Sequence, residues 1–127
     1  MKWLLSIHWV LVAAVWYSGN GILHDVFVLL NHRGKYDREL LRLLTVGHIL
    51  LLSGAVVFVC YLMMLNKIQC GGLINIIIGV GILIYCAMIF PFLKSIGIIV
   101  ISIILIIVSI KAMNSFPDIY EIMQNYK

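Results

Sequence analysis

The sequence predicts an all-α integral membrane protein, a four-helix bundle with a short interfacial helix or an extended helix end after its first span. Of its 127 residues, 64% are apolar and 11% are charged, and the mean hydropathy is +1.14. A soluble domain is roughly 45–50% apolar and about 25% charged. Four long uncharged stretches also follow one another along the chain, as expected of helices that cross about 30 Å of hydrocarbon.

The first span covers about residues 3–23. It contains no charged side chain, and Tyr17 near its end is predicted to be an interfacial aromatic residue. A Gly-Asn-Gly sequence at 19–21 then offers a kink or a break. A polar and basic segment follows at 24–42. Residues 22–32 are either a helix that lies in the interface or the protruding end of a long, tilted first span.

Three further spans are predicted at about residues 43–65, 71–91 and 95–113. Asp37 can cap the second helix, with Glu39 in its first turn, where the helix dipole favours an acid. Pro91 ends the third span, because proline disfavours a helical conformation in the preceding residue and removes a hydrogen-bond donor. Residues 114–127 are predicted to be a tail on the membrane surface. Four spans place both termini on one side.

The basic residues predict an orientation. Five of them belong to the side that holds the loops after the first and third spans, against four on the other side. Their density in the first loop favours a cytoplasmic position for that loop and an outside position for the termini. We therefore expect an integral protein of the bacterial cytoplasmic membrane.

The expected partners follow from the same composition. The lipid bilayer is one, and another membrane subunit or a second copy of the chain is a further candidate. Nucleic acid is not expected, because the net charge of +4 is spread over loops and ends without a dense basic face.

The three cysteines, Cys60, Cys70 and Cys86, form no C-x-x-C pair. A quinone-linked enzyme of disulfide exchange needs paired cysteines, so this class is disfavoured. We expect free, buried thiols that pack as small apolar side chains.

Small and polar residues recur at seven-residue spacing in the predicted spans. Such a repeat keeps one helix face turned towards the bundle interior, and helices in lipid associate through close packing of small side chains. The first span has a comparable stripe of small or polar residues, formed by Ser6, Ala13, Asn20, His24 and Asn31. The predicted packing positions of the other spans are Gly47, Gly54, Gly72, Asn75, Gly79, Ser95, Ser102 and Ser109.

Two histidines are predicted near the same membrane face, because the first two spans are antiparallel. One interpretation is a haem, metal or proton site at the mouth of the bundle, with His24 and His48 as the preferred haem ligands. The alternative is that His24 and the adjacent Asp25 are solvated at the interface and bind nothing. A wider polar cluster at the mouth is predicted to contain Asn20, Asp25, His32, Arg38 and Arg42.

His8 lies near the opposite face, where it is either an interfacial anchor or a haem ligand. Together with Trp16-Tyr17-x-Gly19, and with Arg42-Leu43 leading to Leu52-Ser53-Gly54, it resembles the opening half of the small HemJ-like membrane proteins. That resemblance implies a four-helix, haem-associated oxidoreductase of porphyrin synthesis in which His8 replaces the first-helix histidine. The proline of their second helix is absent here. The overall plan is also similar to DoxX-like four-helix proteins, by architecture alone.

We expect a small polytopic membrane protein that acts by binding, as an assembly module for a membrane partner or a lipid. The reason is that the sequence contains no complete catalytic constellation. The second hypothesis is a haem- or quinone-linked membrane oxidoreductase that uses His24, His48 or His8. The third is a small transporter or channel, which is disfavoured because no charged residue lies in mid-membrane. The sequence leaves open whether the protein is an enzyme.

Overall fold

The computed structural model describes residues 2–34, 36–89 and 96–116, and the side chains in these ranges from residue 7 onward. The described residues form four α-helices and no strand: α1 (Lys2–Asn31), α2 (Arg38–Leu65), α3 (Gln69–Ile89) and α4 (Ile96–Met113). This confirms the all-α, four-helix prediction. The helices α2, α3 and α4 are each long and apolar enough to cross a membrane.

The first helix is uninterrupted over 30 residues, which corresponds to about 45 Å. The helix therefore has no break at 19–21, where α2 packs directly against Gly21. Residues 22–31 are the extended end of α1 and not a separate interfacial helix. α1 contains Asn20, His24 and Asp25, and it is not among the helices that reach membrane-spanning hydropathy. A fourth span at α1 stays a prediction.

The four helices pack as a ring in which each contacts the next and α4 returns to α1. α1 and α2 are antiparallel, since His8 lies beside Tyr61 while Asp25 lies beside His48. The end of α1, the start of α2, the end of α3 and the start of α4 lie at the same end of the ring, where residues of all four helices line one cavity. We call this end, which contains Asp25 and His48, the polar end.

Local hydrogen bonds define both ends of α2. At its start, Asp37 is the N-cap, as predicted, and its carboxylate accepts a 2.8 Å bond from the N–H of Leu40. At its end, the N–H groups of Lys67 and Ile68 donate 3.0 Å bonds to carbonyls of the last turn. Lys67 has the left-handed φ of 58° that this type of helix end requires. The resulting short turn reverses the chain into α3.

Small residues bring the backbones of α1 and α2 into direct contact. A Cβ atom added to Gly21 would lie 2.6 Å from the carbonyl oxygen of Gly47, and one added to Gly54 would lie 2.8 Å from that of Ala14. Real Cβ atoms essentially never come so close. Close approach of backbones at small residues favours helix association in lipid, and these contacts define the register of α1 against α2.

The contact between α3 and α4 also uses glycine. A Cβ atom on Gly72 would lie 2.5 Å from Cγ of Met113, and one on Gly79 would lie 2.7 Å from Cγ1 of Ile106. Three polar side chains predicted at this seam are fully buried: Asn75, Ser102 and Ser109. Three further predictions concern residues outside the described ranges: Ser95, the turn at 91–94 and the tail from residue 117.

The buried face of α1 differs from the predicted one. Its buried positions include Ile7, Val10, Ala14, Tyr17 and Gly21. The predicted stripe shares only Ala13 with this face, since Asn20 and His24 are half-buried and Asn31 is exposed. The prediction of an interfacial Tyr17 was wrong. Its side chain is fully buried, and its hydroxyl oxygen lies 2.5 Å from Oγ of Ser102 on α4.

All three cysteines are free thiols. Cys60 and Cys86 are buried, as predicted. The expectation was wrong for Cys70, which is exposed in the first turn of α3.

Candidate functional site

At the polar end, a carboxylate of α1 lies between two histidines. Oδ2 of Asp25 is 2.9 Å from Nδ1 of His48 on α2, and Oδ1 of Asp25 is 3.7 Å from Nδ1 of the adjacent His24. The side chain of Asp25 is 15% exposed, whereas that of His48 is 61% exposed. The carboxylate is thus the inner member of its pair with His48, and the imidazole is the outer member.

The contacts of His48 define its tautomer. Its Nδ1 is also 2.9 Å from the carbonyl oxygen of Leu44, one turn earlier in α2. A carbonyl oxygen and a carboxylate oxygen can only accept hydrogen bonds, so we assign the proton to Nδ1 of His48. In the neutral ring, Nε2 then has a free lone pair.

Gly47 makes room for the carboxylate of Asp25. A Cβ atom at position 47 would overlap Oδ1 of Asp25, so a larger residue there would displace the carboxylate. Both Oδ1 of Asp25 and Nδ1 of His24 are buried and make no hydrogen bond. Their separation of 3.7 Å exceeds hydrogen-bond length. Two buried polar atoms that face each other without a bond are unusual in a folded protein.

The three side chains lie back from the helix ends at the polar end. Asp25 precedes the end of α1 at Asn31 by six residues, and His48 follows the charged Arg42 by six residues. Each interval corresponds to about 9 Å along a helix. In helices that cross a membrane, ionisable groups are costly and mark candidate functional sites.

A cavity of about 350 Å³ lies at the same end and is lined by residues from all four helices. Its walls are mainly apolar, and its lining includes Trp16, Asn20, His24, Tyr85, Cys86 and Gly97. A volume of roughly 300–1,000 Å³ and an apolar wall with a few polar groups are typical of sites for small molecules. His24 takes part in both features, since it lines the cavity while its Nδ1 faces Asp25.

The two predicted cluster members on α1 have different surroundings. Asp25 is paired with His48, as described above. Asn20 lines the cavity, and its side-chain N–H₂ donates a 2.8 Å bond to the carbonyl oxygen of Trp16.

The other predicted members of the polar cluster lie closer to the connecting loop. Nε2 of His32 is 3.7 Å from Oδ1 of Asp37, the cap of α2. Arg42 pairs with Glu39 at 3.6 Å, with both side chains mostly exposed. Arg38 is also exposed. The structure therefore does not bring all five predicted residues into one cluster.

His8 is remote from the polar end. It precedes His24 by sixteen residues in the same helix, or about 24 Å. Its Nδ1 is 3.3 Å from the hydroxyl oxygen of Tyr61 on α2. His8 therefore cannot share one ligand with His24 or His48.

No three His, Cys, Asp or Glu side chains within the described ranges are grouped closely enough to hold a metal ion. Haem binding stays a prediction from the sequence. Comparisons of the chain with protein-family models, curated proteins and solved structures find no match.

Sequence reasoning missed several residues of this region. Gly21 had a detectable signal, because it follows Ala14 by seven residues and so belongs to a stripe of small residues. No pattern in the sequence indicated that Tyr85 or Gly97 would belong to this region. A Cβ atom at Gly97 would lie 3.1 Å from Cζ2 of Trp16, and such a contact between α1 and α4 depends on helix rotations that local patterns do not contain.

Proposed function

We propose that this protein is a membrane-embedded binding protein whose cavity at the polar end takes a long-chain amphiphile, a lipid-like molecule with a small polar head. The observation that carries the proposal is the cavity of about 350 Å³ shared by all four helices. Such amphiphiles are dissolved in the bilayer that surrounds the protein. The bound molecule would therefore have the same chemistry as the lipids around it.

The lining residues support this class of ligand. The apolar walls suit a hydrocarbon chain, while a few polar groups suit a small head. Asn20 uses its N–H₂ group on Trp16, which leaves its Oδ1 as a hydrogen-bond acceptor. His24 and the hydroxyl-bearing Tyr85 line the same space. These groups lie near the charged end of the bundle, where lipid head groups are found.

The proposal includes α1 as a fourth span. Contacts from His8 with Tyr61 to Asp25 with His48 keep α1 alongside the membrane-spanning α2 over most of its length. We also place the loop at 32–37 in the cytoplasm of a bacterial cell and both termini outside, on the basic residues of that loop.

Filling the cavity should prevent binding. We expect Gly97→Leu to weaken binding of a heptadecyl hydroxycoumarin, a lipid-like dye, by about tenfold or more, which is about 1.4 kcal/mol. The reason is that a leucine at position 97 would occupy space beside Trp16 in the cavity. Affinity is measured in lipid nanodiscs by energy transfer from Trp16 to the dye, in a Trp3→Phe/Trp9→Phe background.

Gly81→Leu is the matched control. Gly81 lies on α3, and a Cβ atom added there would have no heavy atom within 4 Å. This variant adds the same side chain without entering the cavity, so its affinity should stay within about twofold of the wild type, or about 0.4 kcal/mol. Equal losses in both variants, or no saturable binding by the wild type, would contradict the proposal.

A further inference from the structure

We propose that His48, Asp25 and His24 form a proton-transfer path between the outer surface of the α1–α2 pair and the cavity. The inference goes beyond amphiphile binding and does not require a ligand in the cavity. It concerns the transfer of protons by these three ionisable side chains to the cavity that His24 lines.

The three groups are arranged in series, with Asp25 in the middle as the least exposed: the side chains of His48, Asp25 and His24 are 61%, 15% and 27% exposed. Nδ1 of His48 is 2.9 Å from the largely buried Asp25. The other oxygen of Asp25 faces Nδ1 of His24, which also lines the cavity. Imidazole nitrogens and carboxylate oxygens can each take up and release a proton. Each neighbour in the series can therefore exchange a proton with the next.

The gap between Asp25 and His24 locates the internal step. Oδ1 of Asp25 and Nδ1 of His24 are buried and without hydrogen bonds, 3.7 Å apart. A single proton shared between them would satisfy both atoms once a small side-chain movement shortens the distance to hydrogen-bond length. The sharing of one proton would thus satisfy both buried polar atoms, which otherwise make no hydrogen bond.

Transfer of one proton along the path balances as follows. Nε2 of His48 takes a proton from water at the surface, and the ring releases its Nδ1 proton to Oδ2 of Asp25. Rotation of the carboxyl group turns this proton towards His24, whose Nδ1 accepts it. His24 then releases its own Nε2 proton on the cavity side. One proton enters, one leaves, and the same three groups remain after their tautomers reset.

Other titratable groups lie outside the path. Tyr85 and Cys86 of α3 line the cavity. Glu39 and Arg42 of α2 pair with each other at the exposed surface. The described part of α4 has Lys111 as its one titratable residue, in the last turn, which lies at the opposite end of the bundle. No described charge on α3 or α4 therefore competes for the proton of Asp25.

The path is tested by the rate at which the ring proton of His24 exchanges with bulk water. This rate is measured by NMR on the full chain with isotope-labelled histidine, in micelles without added ligand. We expect His48→Gln and Asp25→Asn each to slow the exchange by roughly tenfold to hundredfold, as loss of a positioned acid or base does. Asparagine has nearly the shape of aspartate, and His48 is largely exposed, so at least one variant should fold as the wild type does.

His8→Gln is the matched control, since His8 lies on the same helix about 24 Å away. Its substitution should leave the exchange of His24 unchanged. Unchanged exchange in either folded path variant would overturn the proposal, because water would then reach His24 directly. Dye binding is not part of this measurement, so failure of the path and failure of the proposed binding function give separate results.

Discussion

Tyr17→Ala is expected to lower the free energy of unfolding by about 3–5 kcal/mol, the range found when a large buried aromatic side chain is truncated. Tyr17 is fully buried on α1, and its hydroxyl reaches Ser102 of α4. The substitution removes the ring from the centre of the bundle and also removes the bond that joins these two helices. Stability is measured by steric trapping or by unfolding in mixed micelles of denaturing detergent.

Two further variants separate the ring from the hydroxyl group. Ser102 gives its own proton to the carbonyl oxygen of Ile98 at 2.7 Å, so Tyr17 is the donor in its bond to Ser102. Tyr17→Phe should therefore cost only about 1 kcal/mol. Phe27→Ala, which truncates an aromatic residue of α1 that is 66% exposed, should stay within about 0.5 kcal/mol of the wild type. Similar losses for Tyr17→Ala and Phe27→Ala would contradict the buried position of Tyr17.

The second large effect is expected for Gly47→Ala, which should lower the free energy of unfolding by about 1–3 kcal/mol, as overpacking does. The added Cβ atom would overlap the carboxylate of Asp25 and lie 2.8 Å from the backbone oxygen of Gly21. Either α1 must move away from α2, or Asp25 must leave His48. The same unfolding measurement applies, and the tautomer of His48, read by NMR, should change with it.

Gly19→Ala provides the comparison. A Cβ atom at Gly19 would meet no heavy atom within 4 Å. Alanine is favoured over glycine inside a helix by about 0.5–1 kcal/mol, so this variant should be slightly more stable than the wild type. If Gly47→Ala raised the free energy of unfolding as much as Gly19→Ala does, that result would contradict the direct backbone contact between α1 and α2.

The fold was predictable where its causes are local. Apolar runs define the helices, and the carboxylate of Asp37 caps α2 as its position before an apolar run predicts. Gly72 and Gly79 lie seven residues apart and do face α4. Tyr17 was misplaced because its position beside Trp16 is also typical of an interfacial aromatic pair. The buried positions from Ile7 to Gly21 follow an alternating spacing of three and four residues, a pattern that the predicted stripe did not use.

The candidate site was predictable only in part. The proximity of His24 and His48 follows from two antiparallel helices of known length. The position of Asp25 between them does not, because it depends on the space that Gly47 leaves. The cavity was beyond prediction, since it requires the rotation of α3 and α4 that brings Tyr85 and Gly97 to the same space. Short-range spacing does not determine such rotations.

The pairing of Asp25 with His48 also bears on how the protein enters the bilayer. An aspartate at the centre of a helix opposes membrane insertion by about 2.5–3.5 kcal/mol, although less towards the helix ends. α1 carries this carboxylate and is the helix that falls short of membrane-spanning hydropathy. Because His48 and Gly47 provide its partner and its space, we expect α1 and α2 to partition into lipid together as a helical hairpin. Biogenesis of the first helix would then depend on synthesis of the second.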